Sequence, residues 1–194
     1  MLDVIRNKFA NRMRRLMPAR IVGGFVRRQD GSAAVEFAMV AAPFLALTFA
    51  ILETAFVFFA GQTLEATAAD AARLIMTGQA QTSGFSQSDF KTAVCARVYG
   101  LFDCANGMNI DVKTYASFAA ANTTAPVTNG QLVTTNMAYT PGGPGCIVVV
   151  SLYYQWPIYV SMFSDNLSNL NGNKRLLVAT SVFRNEPYGP AGSC

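Results

Sequence analysis

The chain has 194 residues, room for one modest domain and a membrane segment; 52% are apolar and only 13% charged, where a globular domain carries about a quarter charged. It has no histidine, which removes Ser–His and Cys–His catalysis and any histidine-bearing zinc site. The net charge of +4 does not describe a nucleic-acid binder, because residues 1–31 hold eight cations and two anions while residues 32–194 hold seven and nine.

A cationic segment before a long apolar run is a topology signal, since positive flanks stay on the cytoplasmic side. Within it Leu2, Ile5, Phe9, Met13 and Leu16 recur at helical spacing with Arg and Lys between them. That pattern suits either a short amphipathic helix on a membrane surface or a basic tail without structure. The apolar run, residues 37–60, is broken only by Thr48, Glu53 and Thr54. As a helix it spans roughly 36 Å, against a hydrocarbon core of about 30 Å. A secretory signal has a shorter core followed by a small-residue cleavage site; here Gly61, Gln62 and Thr63 come next and the helical pattern continues. The segment therefore reads as retained.

Between leader and span stands the stretch Arg27-Arg28-Gln29-Asp30-Gly31-Ser32-Ala33-Ala34-Val35-Glu36-Phe37. It resembles the type IV prepilin site, where a membrane aspartic peptidase cuts after the glycine and leaves a glutamate at mature position five. The resemblance implies that Gly31 precedes the cut, Ser32 becomes the new N-terminus and Glu36 is that glutamate. A carboxylate at the lip of a bilayer needs a partner, and cleavage would create an amine at Ser32, one helical turn away. The plainer reading of Glu36 is an acid favoured by the helix macrodipole.

Residues 31–53, GSAAVEFAMVAAPFLALTFAILE, are similar to the TadE-like proteins of tight-adherence (Tad, Flp-type) pilus systems. Those minor pilins or pseudopilins combine an A-V-E-F-A core, a later proline and a second acid near the end of the span, here Glu36, Pro43 and Glu53. Ala71-Ala72-Arg73, Gly78 and the late Phe183-Arg184-Asn185-Glu186-Pro187 also match the family's look. The resemblance implies a subunit in the bacterial inner membrane, N-terminus cytoplasmic and C-terminal part periplasmic. It implies as partners a prepilin peptidase, another minor pilin, the major Flp pilin and the Tad assembly platform. The chain is too long to be the major filament subunit. Pro43 lacks a backbone donor and should bend or loosen the helix. Glu53 lies either near the far interface, the slightly favoured reading, or paired inside an assembly.

Further along, Leu64, Ala68, Ala71, Leu74 and Ile75 form a helical stripe, so the spanning helix should continue to about Gly78, a C-cap. Residues 83–88 read as a loop, with Ser88 capping a second helix over 89–100. Strand formers then dominate at Ile110, Val112 and 115–118, at 146–155 and at 176–183. Residues 119–145 look like a long loop. Its Pro141-Gly142-Gly143-Pro144-Gly145 run lacks the lysine and the strand-to-helix setting of a phosphate cradle, and reads as a sharp turn. Among the aromatics Tyr153, Tyr154, Trp156, Tyr159 and Phe163, core is favoured over a receptor-binding surface.

Cys95, Cys104, Cys146 and Cys194 all lie beyond the span. Four cysteines allow three pairings, of which Cys95–Cys104 with Cys146–Cys194 is preferred. On chain entropy the short loop is worth about 2.7 kcal/mol and the long one about 4, and such bonds suit an oxidising periplasm. The cysteine spacings match no zinc cluster, the outer carboxylates are scattered, and no metal, cofactor or enzymatic activity is expected. The expected architecture is α+β, a long N-terminal transmembrane and stalk helix packed against a small antiparallel sheet. Its divisions are a leader to be removed (1–31), the span (32–60), a helical stalk (61–80) and a periplasmic domain (81–194). The rival is an unprocessed, signal-anchored periplasmic binding module, which leaves Gly31 and Glu36 unexplained.

Overall fold

The structure, a computed structural model, describes residues 31–98, 100–160, 167–190 and 194. The basic leader up to Asp30 and the aromatic Phe163 lie outside the described residues. The chain divides into two compact units, Met1–Thr48 and Phe49–Cys194, and the boundary falls within the first helix, α1 (Ser32–Met76). Among the described residues α1 is the one helix long and apolar enough to cross a membrane.

In the first unit α1 exposes Val35, Phe37, Met39, Val40, Phe44 and Leu45. So continuous an exposed apolar surface marks a membrane or protein contact, and the helix is long and apolar enough to cross a membrane. Pro43 sits inside the helix and offers no amide to the carbonyl one turn back. The Thr48 hydroxyl donates to the Phe44 carbonyl at 2.8 Å, so it is satisfied within its own helix.

The second unit is a helix-on-sheet layer with a loop over the other face. Here α1 buries Val57, Ala60, Leu64, Ala68, Ala71 and Ile75, a stripe at three- and four-residue spacing. Its alanines let the backbone approach the sheet. That sheet has three antiparallel strands in the order β1 (Met108–Tyr115), β4 (Ile147–Pro157), β5 (Lys174–Arg184). The register sets Ile110 beside Leu152 and Leu152 beside Ala179, so period-two alternation puts these residues on the face toward α1. They join the α1 stripe in one core, with Phe90, Val94, Val98 and Phe102 closing it. The fold is α+β, a long apolar N-terminal helix with a small antiparallel sheet and two disulfides.

Short elements link helix and sheet. α1 ends at Met76, and Gly78 lies just beyond at φ +76°. A side chain there would meet the Tyr188 ring at 2.5 Å, so both the left-handed backbone and the close ring require glycine. After α2 (Gln79–Thr82), helix α3 (Gln87–Cys95) is capped by Ser86, not Ser88. The Ser86 hydroxyl accepts from the Asp89 amide and the Asp89 carboxylate accepts from the Ser86 amide, a reciprocal capping box. Donation from the Ser86 hydroxyl and amide holds the Asp89 carboxyl below its usual range. The helix stops at Cys95, which is bonded to Cys104 at the start of α4 (Cys104–Gly107), so it does not run to residue 100.

Residues 116–118 are not strand: β1 ends at Tyr115 and a 3-10 turn occupies Phe118–Ala120. The long loop beyond it contains a small hairpin, β2 (Val127–Thr128) with β3 (Gln131–Leu132). It lies on the second face of the sheet, where Ala125, Leu132 and Met137 pack on Tyr153, Leu170 and Leu176. The edge of β1 is covered too, since Val112 donates to the Ala138 carbonyl and accepts from the Thr140 amide, both at 2.8 Å.

Candidate functional site

At the start of α1, Gly31 and Ser32 are exposed, and a side chain added at Gly31 would meet nothing within 4 Å. The Ser32 hydroxyl donates to the Glu36 carboxylate at 2.9 Å. The four-residue spacing puts both on one face of the first turn. The carboxylate therefore faces the residue whose nitrogen a cut after Gly31 would free.

Glu53 has a different setting. It is buried, on the same face as Val57 and Ala60. One of its oxygens accepts from the Tyr159 amide; Val160 donates to both, at 3.2 and 3.0 Å. These amides belong to the segment just after β4, 106 and 107 residues away in sequence. The expectation for Glu53 weighed an interface against a partner in an assembly; the observed partners are two amides of its own chain. No sequence signal identifies them, because backbone donors are the same at every residue.

A second junction joins the end of α1 to the C-terminal segment. The Gln81 side-chain amide reaches the carbonyls of Ile75, Pro141 and Gly142, each at 3.1 Å. Asn185 donates to the carbonyls of Pro141 and Gly143 at 3.0 Å, and the Glu186 amide donates to the Met76 carbonyl at 2.9 Å. The Pro–Gly run is thus a turn read by two side-chain amides, and Cys146–Cys194 closes the same region. Sequence reasoning noted Asn185 and Glu186 but gave them no task, and missed Gln81.

The aromatics separate by location. Tyr153 is buried under the loop, while Tyr154 and Trp156 pack on Phe102 at ring distances of 4.7 and 5.9 Å. Tyr159 instead is 81% exposed. Burial pushes the Tyr139 hydroxyl up to about 12, with the Asp89 charge adding to the shift, and among the described residues its oxygen has no hydrogen-bond partner. Among the described residues no three His, Cys, Asp or Glu side chains converge as metal ligands.

The family model of TadE-like proteins matches residues 31–73. Over those residues the chain is similar to TadE-like proteins. The TadE-like segment begins at Gly31 and takes in Ser32, Glu36, Pro43 and Glu53, leaving most of the sheet domain outside it. No curated protein and no solved structure matches the chain.

Proposed function

We propose that this protein is a minor pilin or pseudopilin that acts in assembling a Tad/Flp-type pilus for surface adhesion. It is made in the inner membrane with its basic leader cytoplasmic and its sheet domain periplasmic. A prepilin peptidase removes residues 1–31, and Ser32 becomes the N-terminus. The observation that carries this reading is the Gly31–Ser32–Glu36 turn, exposed at the head of an apolar helix and inside the TadE-like match. Cleavage removes a segment of net charge +6 that would otherwise hold the N-terminus at the cytoplasmic face. It also frees an amine one turn from Glu36. The ammonium of one subunit and the carboxylate of its neighbour, each costly alone in lipid, then satisfy each other. Membrane exit and subunit docking become one step. The partners are other minor pilins, the major Flp subunit and the assembly platform; the role is structural and needs no cofactor or catalytic group.

Replacing Glu36 with Leu tests the docking step. The reading expects the variant to reach the membrane and lose its leader, yet to be absent from assemblies crosslinked to other pilus subunits. A variant crosslinked as efficiently as wild type would contradict it.

A further inference from the structure

The apolar run closes at Ala60, whereas Glu53, which holds the segment after β4, lies seven residues earlier. Along a helix that is roughly 10 Å on the membrane side of the run's end. Within the second unit α1 is two-faced over this interval. Val57 and Ala60 are buried against the sheet domain, while Phe56, Phe58 and Phe59 on the outer side are 55–69% exposed. The first exposed polar side chain after them is Gln62. The lipid-facing surface of the helix therefore continues past the level at which residues 158–160 are fixed.

We infer that residues 158–160, just after β4, touch the outer lipid leaflet, with Tyr159 as an interfacial anchor; this rests on the reading of α1 as a membrane span. Three features agree with a lipid surface as the occupant. Backbone donors entering a bilayer must be paired within the protein, and the amides of Tyr159 and Val160 are both paired by Glu53. The side chains left at least partly open are Tyr159 and Val160, neither of them charged. A tyrosine with an apolar ring and a polar tip is the residue type enriched at the headgroup level, and Tyr159 projects while its neighbour Ile158 is buried in the core. Residues 158–160 are thus tied, through Glu53, to the part of α1 that exposes Phe56, Phe58 and Phe59. This fixes the sheet domain against the membrane rather than at the end of a free stalk.

The test is depth-dependent quenching of a tryptophan at position 159. Trp156 is the chain's single tryptophan, so the full-length variant Trp156→Phe/Tyr159→Trp is reconstituted into phosphatidylcholine vesicles. The single variant Tyr159→Trp, read as a difference from wild type, serves if the double variant does not fold. The inference expects emission to fall when acyl chains are brominated near their carbonyl end, and to resist iodide present on both sides of the vesicle. Quenching by iodide and not by brominated lipid, in protein that floats with the vesicles, would overturn the inference and leave the span intact. Protection from both quenchers would also overturn it, by indicating that another protein copy covers residues 158–160. Failure to float would remove the span itself and the inference with it.

Discussion

Glu36 and Glu53 are carboxylates on the same helix, seventeen residues apart, and their surroundings give them different roles. Glu36 is exposed, and among the described residues its hydrogen-bond partner is the Ser32 hydroxyl, which leaves capacity for a neighbouring subunit. Glu53 is already occupied by two amides of its own chain. Glu53→Ala should therefore cost about 1–3 kcal/mol, the range for stranding a buried hydrogen-bonding group, read as a lower melting temperature in detergent micelles. Glu53→Gln, which keeps an acceptor oxygen, should cost less. Tyr139 offers a residue-scale test in pH. Its hydroxyl titrates near 12 in the folded protein against an ordinary 10. Above pH 10 the unfolded chain releases this proton while the folded one retains it. The stability contribution is thus complete below pH 10 and is lost as pH rises toward 12. Tyr139→Phe should flatten the alkaline decline, followed by circular dichroism. At neutral pH it should cost little, since among the described residues the hydroxyl oxygen has no partner to lose.

At the scale of elements, what the sequence made legible was whatever depends on neighbours in the chain. Hydropathy over residues 37–60 and the stripe through Leu64, Ala68 and Ala71 mark one long helix, because an unbroken apolar run long enough to span a bilayer is read from its length and the buried stripe from its helical period. Valine and tyrosine density marks β4 and β5 for the same local reason. The hidden features depend on distant pairing. The loop before β4 is polar enough to look free, yet Met137 and Leu132 fold back on Tyr153. The Glu53 clasp and the Gln81 junction join segments more than fifty residues apart. The capping of α3 lay between: Ser86 and Ser88 are both good caps, and only the three-residue spacing from Ser86 to Asp89 separates them. The two disulfides allow an element-scale prediction. Cys146–Cys194 closes a separation of 48 residues and Cys95–Cys104 one of 9. Loop entropy makes the former worth about 4 kcal/mol and the latter about 2.7. Replacing the pair at 146 and 194 by serine should lower the melting temperature more than replacing the pair at 95 and 104.

For the whole molecule the decisive property is the separation of charge from apolar surface. All of the net positive charge lies before Ser32, and the chain from Ser32 onward is net-negative and headed by an apolar helix. On the proposed reading, the attached leader would hold the N-terminus at the cytoplasmic face, and a cut after Gly31 would leave a single amine beside Glu36. The account therefore depends on whether the bond after Gly31 is broken. The most direct measurement is the intact mass of protein extracted from membranes of its host, beside a Gly31→Ala variant. The account predicts a wild-type chain beginning at Ser32 and a variant that keeps residues 1–31. A wild-type chain that still carries the leader would contradict it and leave a signal-anchored periplasmic module in its place.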